Sequence, residues 1–488
     1  MIIRFLLLVG ILLAARSIVK ADSEVVYQDI TLEQALDLGL PVMWIETENG
    51  EEPTCHFVQS PYSDWRKGTV ADNKVPSSMI LYNADGSERY SSGTYKKGES
   101  GLTMKIRGNG SATYLQKSYK LKLQKKADLL GRDSEFKDKN WALINPRMMR
   151  EIHGRQIASL FGEPWTPASE CMNVVVNGKF RGMYLLSETI ERNENCRINV
   201  DKQGFVAEHD PYWWLEEKYV EGTDSPDFGY SFKYPDPEDI DQSRMENIRL
   251  ALQRFDEDKA NATFNVIDSV SFARWYLIHN VLGQFDGGGT NLYLCSMNGN
   301  PDEKLSCGPV WDLECIENSE ELSDDWSNAG NRLGSELFHS DPIMRNMDSI
   351  WQAVRERVIE SLDTYYADAA AGNFDAIDRS YQASYKIYGE FYTTLNQHIA
   401  TLKTWYETRI PWLDQKFLEY RTSGINGTAS DRTAYTLRGL DLVVDPDVAI
   451  YSIDGTEIAN PGTGNVTLPK TGIYILRHNG KSVKIATH

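Results

Sequence analysis

An acid, a glycine run and an amide lie close together in Gly283-Gln284-Phe285-Asp286-Gly287-Gly288-Gly289-Thr290-Asn291-Leu292-Tyr293-Leu294. A helical pattern ends at Gly283 and a strand-like run begins after Asn291. Further on, Gly308-Pro309-Val310-Trp311-Asp312-Leu313-Glu314 reads as a second strand ending in an acid. Asp-x-x-x-x-Asn followed by a strand and another Asp is an order suited to phosphoryl transfer. In that chemistry Asp286 orients the attacking hydroxyl or accepts its proton. Asn291 and Asp312 offer the oxygen ligands that a hard cation such as Mg2+ or Mn2+ requires, and the cation offsets phosphate charge. The plainer alternative is that Asp286 and Asn291 cap turns, as these residue types often do.

The upstream half holds a second feature of this kind. Gly108-Asn109-Gly110-Ser111 forms a polar loop after Leu102–Ile106, and Arg107 immediately precedes it. A glycine-rich turn can bring backbone N–H groups up to phosphates. Tyr119-Lys120-Leu121-Lys122-Leu123 follows and alternates cleanly, which predicts a half-buried strand. Tyr119, Leu121 and Leu123 then face the core, while Lys120 and Lys122 face away and can reach an anion held by the loop. A plain hairpin turn is the competing reading of the loop.

These residues need elements to hold them. Pro41–Thr47 and Ser78–Tyr82 read as strands, each followed by a turn. Arg147–Phe161 carries a helical stripe that ends at Gly162 and Pro164. Met172–Val176 and Phe180–Leu186 flank Asn177-Gly178, a strong hairpin signal. Beyond Pro211, helical patterns cover Met245–Phe255, Ser269–Leu282, Asp341–Tyr366 and Phe374–Lys416. Asn291–Cys295 and Pro309–Leu313 are the expected β interruption there. From about Gly424, turn dipeptides punctuate short strands at Val448–Ile453, Gly472–Arg477 and Ser482–Ile485.

The bulk numbers set limits. A chain of 488 residues predicts two or three domains. With 41% hydrophobic and 25% charged residues it has the composition of a globular protein. A net charge of −19 argues against nucleic acid and anionic membranes as partners. Arg4 and the apolar run Phe5–Ala15, followed by Val19-Lys20-Ala21, predict a secretory signal over residues 1–21. No other long apolar run follows, so no transmembrane segment is expected after cleavage. Cys55, Cys171, Cys196, Cys295, Cys307 and Cys315 show no zinc spacing. An exported chain permits disulfides, with buried thiols the equal alternative.

Taken together, the segments resemble the spore-coat-protein-H (CotH) family. Its signature elements are matched by Met104–Ser111 with Lys117–Leu123, by Asn140–Ile144, and by the hairpin Asn177–Glu188. Asp286 to Leu294 and Trp311–Glu314 complete the order. The match covers roughly residues 100–320. Two positions depart from the usual pattern, Thr290 where members often carry His, and Glu314 as the second acid. The resemblance implies an atypical, ATP-dependent protein kinase that is secreted, periplasmic or at the cell surface. The implied fold is α+β and two-lobed, with an antiparallel-sheet lobe over 96–205 and a helical lobe over 206–422. A β segment over 22–95 precedes it, and a small all-β tail over 423–488 follows. The tail resembles small β-sandwich tails of Bacteroidetes secreted proteins, some of which are sorting signals.

By the same resemblance Asp286 is the catalytic carboxylate. Asn291 and Asp312 bind Mg2+ or Mn2+. Lys122 or Lys120, with Arg107, Gly108, Asn109, Gly110 and Ser111, holds the ATP phosphates, Lys122 being the preferred lysine. Glu151 is available as the lysine's partner, though a solvated helix-face charge is the stronger reading. Glu188 is expected near the lobe junction in a structural role. A different class, a surface-binding or adhesin-like protein that keeps the fold without the activity, is the main alternative. Hydrolysis of carbohydrate by Asp286 and Asp312 is a third reading.

Overall fold

The computed structural model describes residues 25–147, 149–223, 227–313, 325–327, 333, 335–390 and 393–423, together with much of 435–487. The expected signal segment, Glu314 and Cys315 lie outside these residues.

The first helix is α1 (Leu32–Leu36), closed at its start by a Thr31–Gln34 capping box. Ten strands follow: β1 (Val42–Thr47), β2 (Cys55–Gln59), β3 (Lys67–Ala71), β4 (Val75–Tyr82), β5 (Glu88–Ser91), β6 (Leu102–Arg107), β7 (Ser118–Ala127), β8 (Asp138–Ile144), β9 (Ser169–Val176) and β10 (Lys179–Ser187). Seven of them run in the order β1-β9-β10-β8-β7-β6-β4, and β4 pairs back to β1 with Val42 opposite Tyr82. The sheet is therefore a closed barrel, with β5 added outside on β4. All its pairings are antiparallel except β1 with β9. Closure leaves the seven strands without an open edge.

The interior is filled from every strand, by Ile45, Leu81, Met104, Leu121, Trp141, Val174 and Tyr184 among others. This is the alternation a small barrel demands, one face in and one face out. On β7 the inward residues are Tyr119, Leu121 and Leu123, as the sequence pattern predicts. Asn177 and Gly178 both take positive φ, 53° and 71°, at the β9–β10 turn. Asn177 Oδ1 then accepts from the Thr47 N–H at 2.9 Å and fixes the turn to β1.

The barrel revises the sequence expectation in one respect. A boundary at residue 95 falls inside a single closed sheet, because β1 and β4 close the ring that β6–β10 begin. Long-range pairing of this kind leaves no local signal in the chain.

Between β8 and β9 lies α2 (Arg150–Ala158), continued as one tight turn to Phe161. After β10 a second sheet forms, in the order β12-β13-β11-β14-β15. Its strands are β11 (Phe205–Asp210), β12 (Tyr219–Glu221), β13 (Gly229–Tyr234), β14 (Leu292–Ser296) and β15 (Ser306–Cys307). The longer helices of this half are α3 (Gln242–Asn261), α4 (Ser269–Leu282), α5 (Asp341–Ala370), α6 (Asp375–Tyr388) and α7 (Leu395–Ser423), with one further turn of helix at Ser335–Phe338. Helix α4 is buried on nearly every side, through Phe272, Trp275, Leu277, Ile278 and Val281, so it is the spine of this unit.

This half holds more sheet than its sequence texture predicts. Pro309–Leu313 is irregular rather than a strand, and the pairing partner of β14 on that side is Ser306–Cys307. The expected Phe374–Lys416 helix is two helices, broken after Tyr388 at Gly389, whose φ is 68°. Past residue 435 the described residues form sheets of three and four short strands. The five described cysteines are unpaired thiols. Among the described residues no helix is long and apolar enough to cross a membrane.

Leu121→Ala removes a fully buried side chain from the barrel. It is expected to cost about 2–5 kcal/mol, read as a lower urea midpoint with an unchanged slope.

Candidate active site

Helix α4 delivers the Asp286 loop. Asp268 caps its start, and Gly283 ends it with φ 70° while donating back to the His279 carbonyl. The next residue, Gln284, is fully buried. Its Nε2 donates to the carbonyl oxygens of Asp286 at 3.3 Å and Asp312 at 2.6 Å. One side-chain amide thus joins the two loops whose acids stand out in the sequence. The Gln284 carbonyl accepts from Ser327 Oγ.

The Gly287–Gly289 stretch lies directly on α4. A Cβ at Gly287 would come within 2.9 Å of the Trp275 ring and 3.0 Å of His279 Nε2. Only glycine permits this approach. Asn291 and Asp312 both adopt left-handed backbone, with φ 56° and 57°. Asn and Asp tolerate that region better than other side chains. Such conformations cluster where function requires a particular side-chain direction.

Leu313 is anchored by α2. Glu151 Oε2 accepts from the Leu313 N–H at 2.5 Å, and Arg155 holds Glu151 Oε1 at 2.8 Å. A Cβ at Gly154 would stand 2.7 Å from Leu313. Glu151 is thus neither a solvated charge nor the partner of a β7 lysine; at 2% exposure it fixes the backbone beside Asp312. Glu188 is also structural. It accepts from Trp165 Nε1 at 3.0 Å and the Ala168 N–H at 2.9 Å, and it pairs with Arg132 at 2.8 Å.

Strand β11 adds acids that the motif search passes over. Glu208 sits opposite Tyr293 in the β11–β14 register. Its Oε1 lies 3.4 Å from both the Asn291 N–H and the Tyr293 hydroxyl, and its Oε2 pairs with Lys233 at 2.7 Å. Asp210, on the same face two residues on, accepts from Ser231 Oγ at 2.7 Å. Burial opposes a charged Lys233, but Glu208 and Asp210 outweigh it and hold the ammonium well above its ordinary value. Burial pushes the Asp210 carboxyl up to about 6, with the Glu208 charge second. The signal that could have found them is Glu-x-Asp at the end of a strand that opens Phe-Val-Ala, where each buried acid needs a reason.

The barrel supplies the cations. Lys120 lies 3.6 Å from Glu191, and its ammonium is held low by burial, with Lys233, Lys122 and Arg107 adding repulsion. Glu191 belongs to the connection between β10 and β11, so Lys120 lies on the side of the barrel where the chain passes to the second sheet. The Arg107 guanidinium stands 5.5 Å from the Trp311 ring, next to Asp312. Lys122 is exposed two residues further along β7. The loop between β6 and β7 is built rather than loose. Asn109 Oδ1 accepts from the Thr69 N–H of β3 at 2.9 Å, and Gly108 has φ 86° with Ser111 folded against it. Gly110 has open space where a side chain would stand.

Asn291 and Asp312 offer hard oxygen donors of the kind a divalent cation takes when phosphate and water fill its other positions. Among the described residues, no group of three or more His, Cys, Asp or Glu side chains forms a protein-only metal cage. The donor chemistry fits Mg2+ or Mn2+ shared with a phosphate. A cavity of about 640 Å³ lies elsewhere, between the start of α3 and the Asn298–Pro301 turn.

A family model described as CotH kinase protein matches residues 104–413. The chain belongs to the CotH kinase family. The match takes in β6 from Met104 onward, β7 and both loops joined by Gln284, so the candidate site residues lie inside the family region. No curated protein matches the chain. Among the solved structures that match, two illustrate a distant likeness. The HipA, HipB and operator DNA complex of Shewanella oneidensis MR-1 matches at 11% identity over 57% of each chain, with a TM-score of 0.27. The Helicobacter pylori proinflammatory kinase CtkA matches at 10% identity over 58% of this chain and 92% of its own, with a TM-score of 0.26. The chain therefore spans little more than half of the first of these proteins.

Within this CotH-family site Asp210 carries a testable charge. Its folded value near 6 lies above the ordinary 3.8, so ionisation costs more in the folded chain. The penalty is absent below about pH 4, grows towards about pH 6 and is complete above it. Asp210→Asn removes it. The variant's Tm relative to wild type should rise across that window and level off above it. A Tm difference independent of pH contradicts the assignment.

Proposed function

We propose that this CotH-family chain is a metal-assisted phosphotransferase that moves the γ-phosphoryl group of ATP to a protein hydroxyl outside the cytoplasm. The observation that carries the reading is the buried Gln284 amide, which joins the carbonyls of Asp286 and Asp312. The barrel and the α/β unit would serve as the two lobes of an atypical kinase, with ATP between them.

In this reading Asp286 receives or orients the acceptor hydroxyl, its carboxylate presented by a loop that α4 holds rigid. Asn291 and Asp312 would hold Mg2+ or Mn2+, which when bound offsets charge on the transferring phosphate. The N–H groups of Gly108–Ser111 and the Arg107 guanidinium address the phosphates from the barrel. Lys120 is the phosphate lysine favoured by position, because its partner Glu191 lies in the connection from the barrel to the second sheet, where Glu208 meets the Asn291 N–H. Lys122, which spacing alone prefers, points to open solvent. Glu208 positions Asn291, and Glu151 positions Asp312 through Leu313. Positioning of this kind is most of what phosphoryl transfer asks of a protein.

A surface-binding role on the same fold draws on one observation. The β2–β3 hairpin exposes Phe57, Tyr62 and Trp65, the last at 71%. Exposed aromatics grouped on one hairpin are a common feature of interaction surfaces.

Phosphotransfer from γ-labelled ATP to the chain itself or to an added protein tests the reading. Lys120→Met is expected to lower the rate at least about 100-fold, Lys122→Met less than about threefold, and Asp286→Asn to abolish transfer. Equal losses for the two lysine variants would overturn the choice of Lys120. Transfer that survives in Asp286→Asn would overturn its role.

A further inference from the structure

The outer face of the barrel carries a row of like charges. Lys105 on β6 stands directly opposite Lys120 on β7. On the other side of β6, Val75 pairs with Met104, so Lys74, one residue earlier, continues the line beside Lys105. Three lysines thus run in line across β7, β6 and the residue that leads into β4, at the spacing of about 4.8 Å that separates strands in a sheet. Like charges placed directly opposite one another destabilise a sheet. Burial first, then Lys120 and Lys74, hold the Lys105 ammonium below its ordinary value, with Glu216 opposing.

The row is also poorly neutralised. Among the described residues Lys120 pairs with Glu191, whereas Lys74 and Lys105 pair with no carboxylate. This occurs in a chain with a net charge of −19, where carboxylates outnumber lysine and arginine, 70 to 51. A sequence so rich in acids still leaves Lys74 and Lys105 without an ion pair among the described residues. The row has a direction. Its inner end, Lys120, adjoins Glu191 in the connection between the two sheets and leads to Lys233 and Arg107. Its outer end, Lys74, is exposed to solvent. An anion lying along it would have one end at the candidate phosphoryl site and the other in open solution.

We propose that Lys74 and Lys105 dock an acidic segment of the protein substrate, which lies across β6 and β4 and leads its hydroxyl toward Asp286. The inference rests on the phosphotransferase reading and names the substrate class for it. An acidic peptide fits the row by charge, and the exposed outer end at Lys74 leaves it room to enter. Docking of this kind acts mainly through encounter and weak affinity, so it falls steeply with added salt.

The test uses the full chain and a fluorescein-labelled, Glu-rich peptide with one serine, followed by anisotropy, with a Lys-rich peptide as control. ATP with Mn2+ is followed separately by thermal shift. Lys74→Ser/Lys105→Ser is the variant, since both side chains stand outside the groups assigned to ATP. The expected result is salt-sensitive binding of the acidic peptide alone, weakened about tenfold or more in the variant, with the nucleotide response unchanged. Failure of the wild type to bind the peptide, or equal binding by the variant, overturns the proposal. A variant that loses the nucleotide response in step with the peptide also overturns it, because the lysines then serve ATP. Peptide binding lost in the variant, in a wild type that never responds to nucleotide, upholds the docking surface and counts against the phosphotransferase reading instead.

Discussion

A single buried amide holds the candidate site together. Gln284 Nε2 donates to the carbonyls of Asp286 and Asp312, which lie in loops 26 residues apart in sequence. Buried away from water, an amide that lost these acceptors would leave donors and carbonyls unmet, so the arrangement resists deformation. The rest of the site builds outward from that junction. Helix α4 supports it from below through Trp275 and His279, α2 anchors its far side through Glu151 and Leu313, and Glu208 holds the Asn291 end.

The barrel supplies the opposing surface, and its closure is what makes that surface dependable. Pairing of β1 with β4 completes the ring, so β6 and β7 cannot slip in register without disturbing five other strands. A slip of one residue would turn Lys120 inward and Leu121 outward. The interior packing of Leu121, Met104 and Trp141 therefore fixes which side chains face outward as firmly as it fixes the fold. The cost is visible on the outer face, where the same register sets Lys105 against Lys120.

Much of this was legible in the sequence, and the gaps have physical causes. The strand alternation of Tyr119–Leu123, the Asn177-Gly178 turn and the bounds of Ser269–Leu282 are local patterns, and each is found where the residues predict. The family relationship follows from the order of short motifs, which a linear reading preserves. The barrel's closure was not legible, because β1 and β4 meet only after the chain has folded. Glu208, Asp210 and Gln284 belong to no motif, and burial marks them as important, while Lys233 is marked by its ion pair with Glu208. Glu151 reads as an ordinary helix acid until Leu313 is seen against it. The different surroundings of Lys120, which meets Glu191, and Lys122, which is exposed, arise from long-range packing that spacing along β7 does not encode.

The central claim is that the Gln284-joined loops form a metal–nucleotide site. Isothermal titration of ATP into the full chain in the presence of Mn2+, with Asp312→Ala alongside and circular dichroism confirming that both are folded, tests it most directly. The account predicts one ATP bound per chain only when metal is present, and no binding by the variant. A folded wild type that takes up no nucleotide, or an Asp312→Ala chain that binds as tightly as wild type, would contradict it.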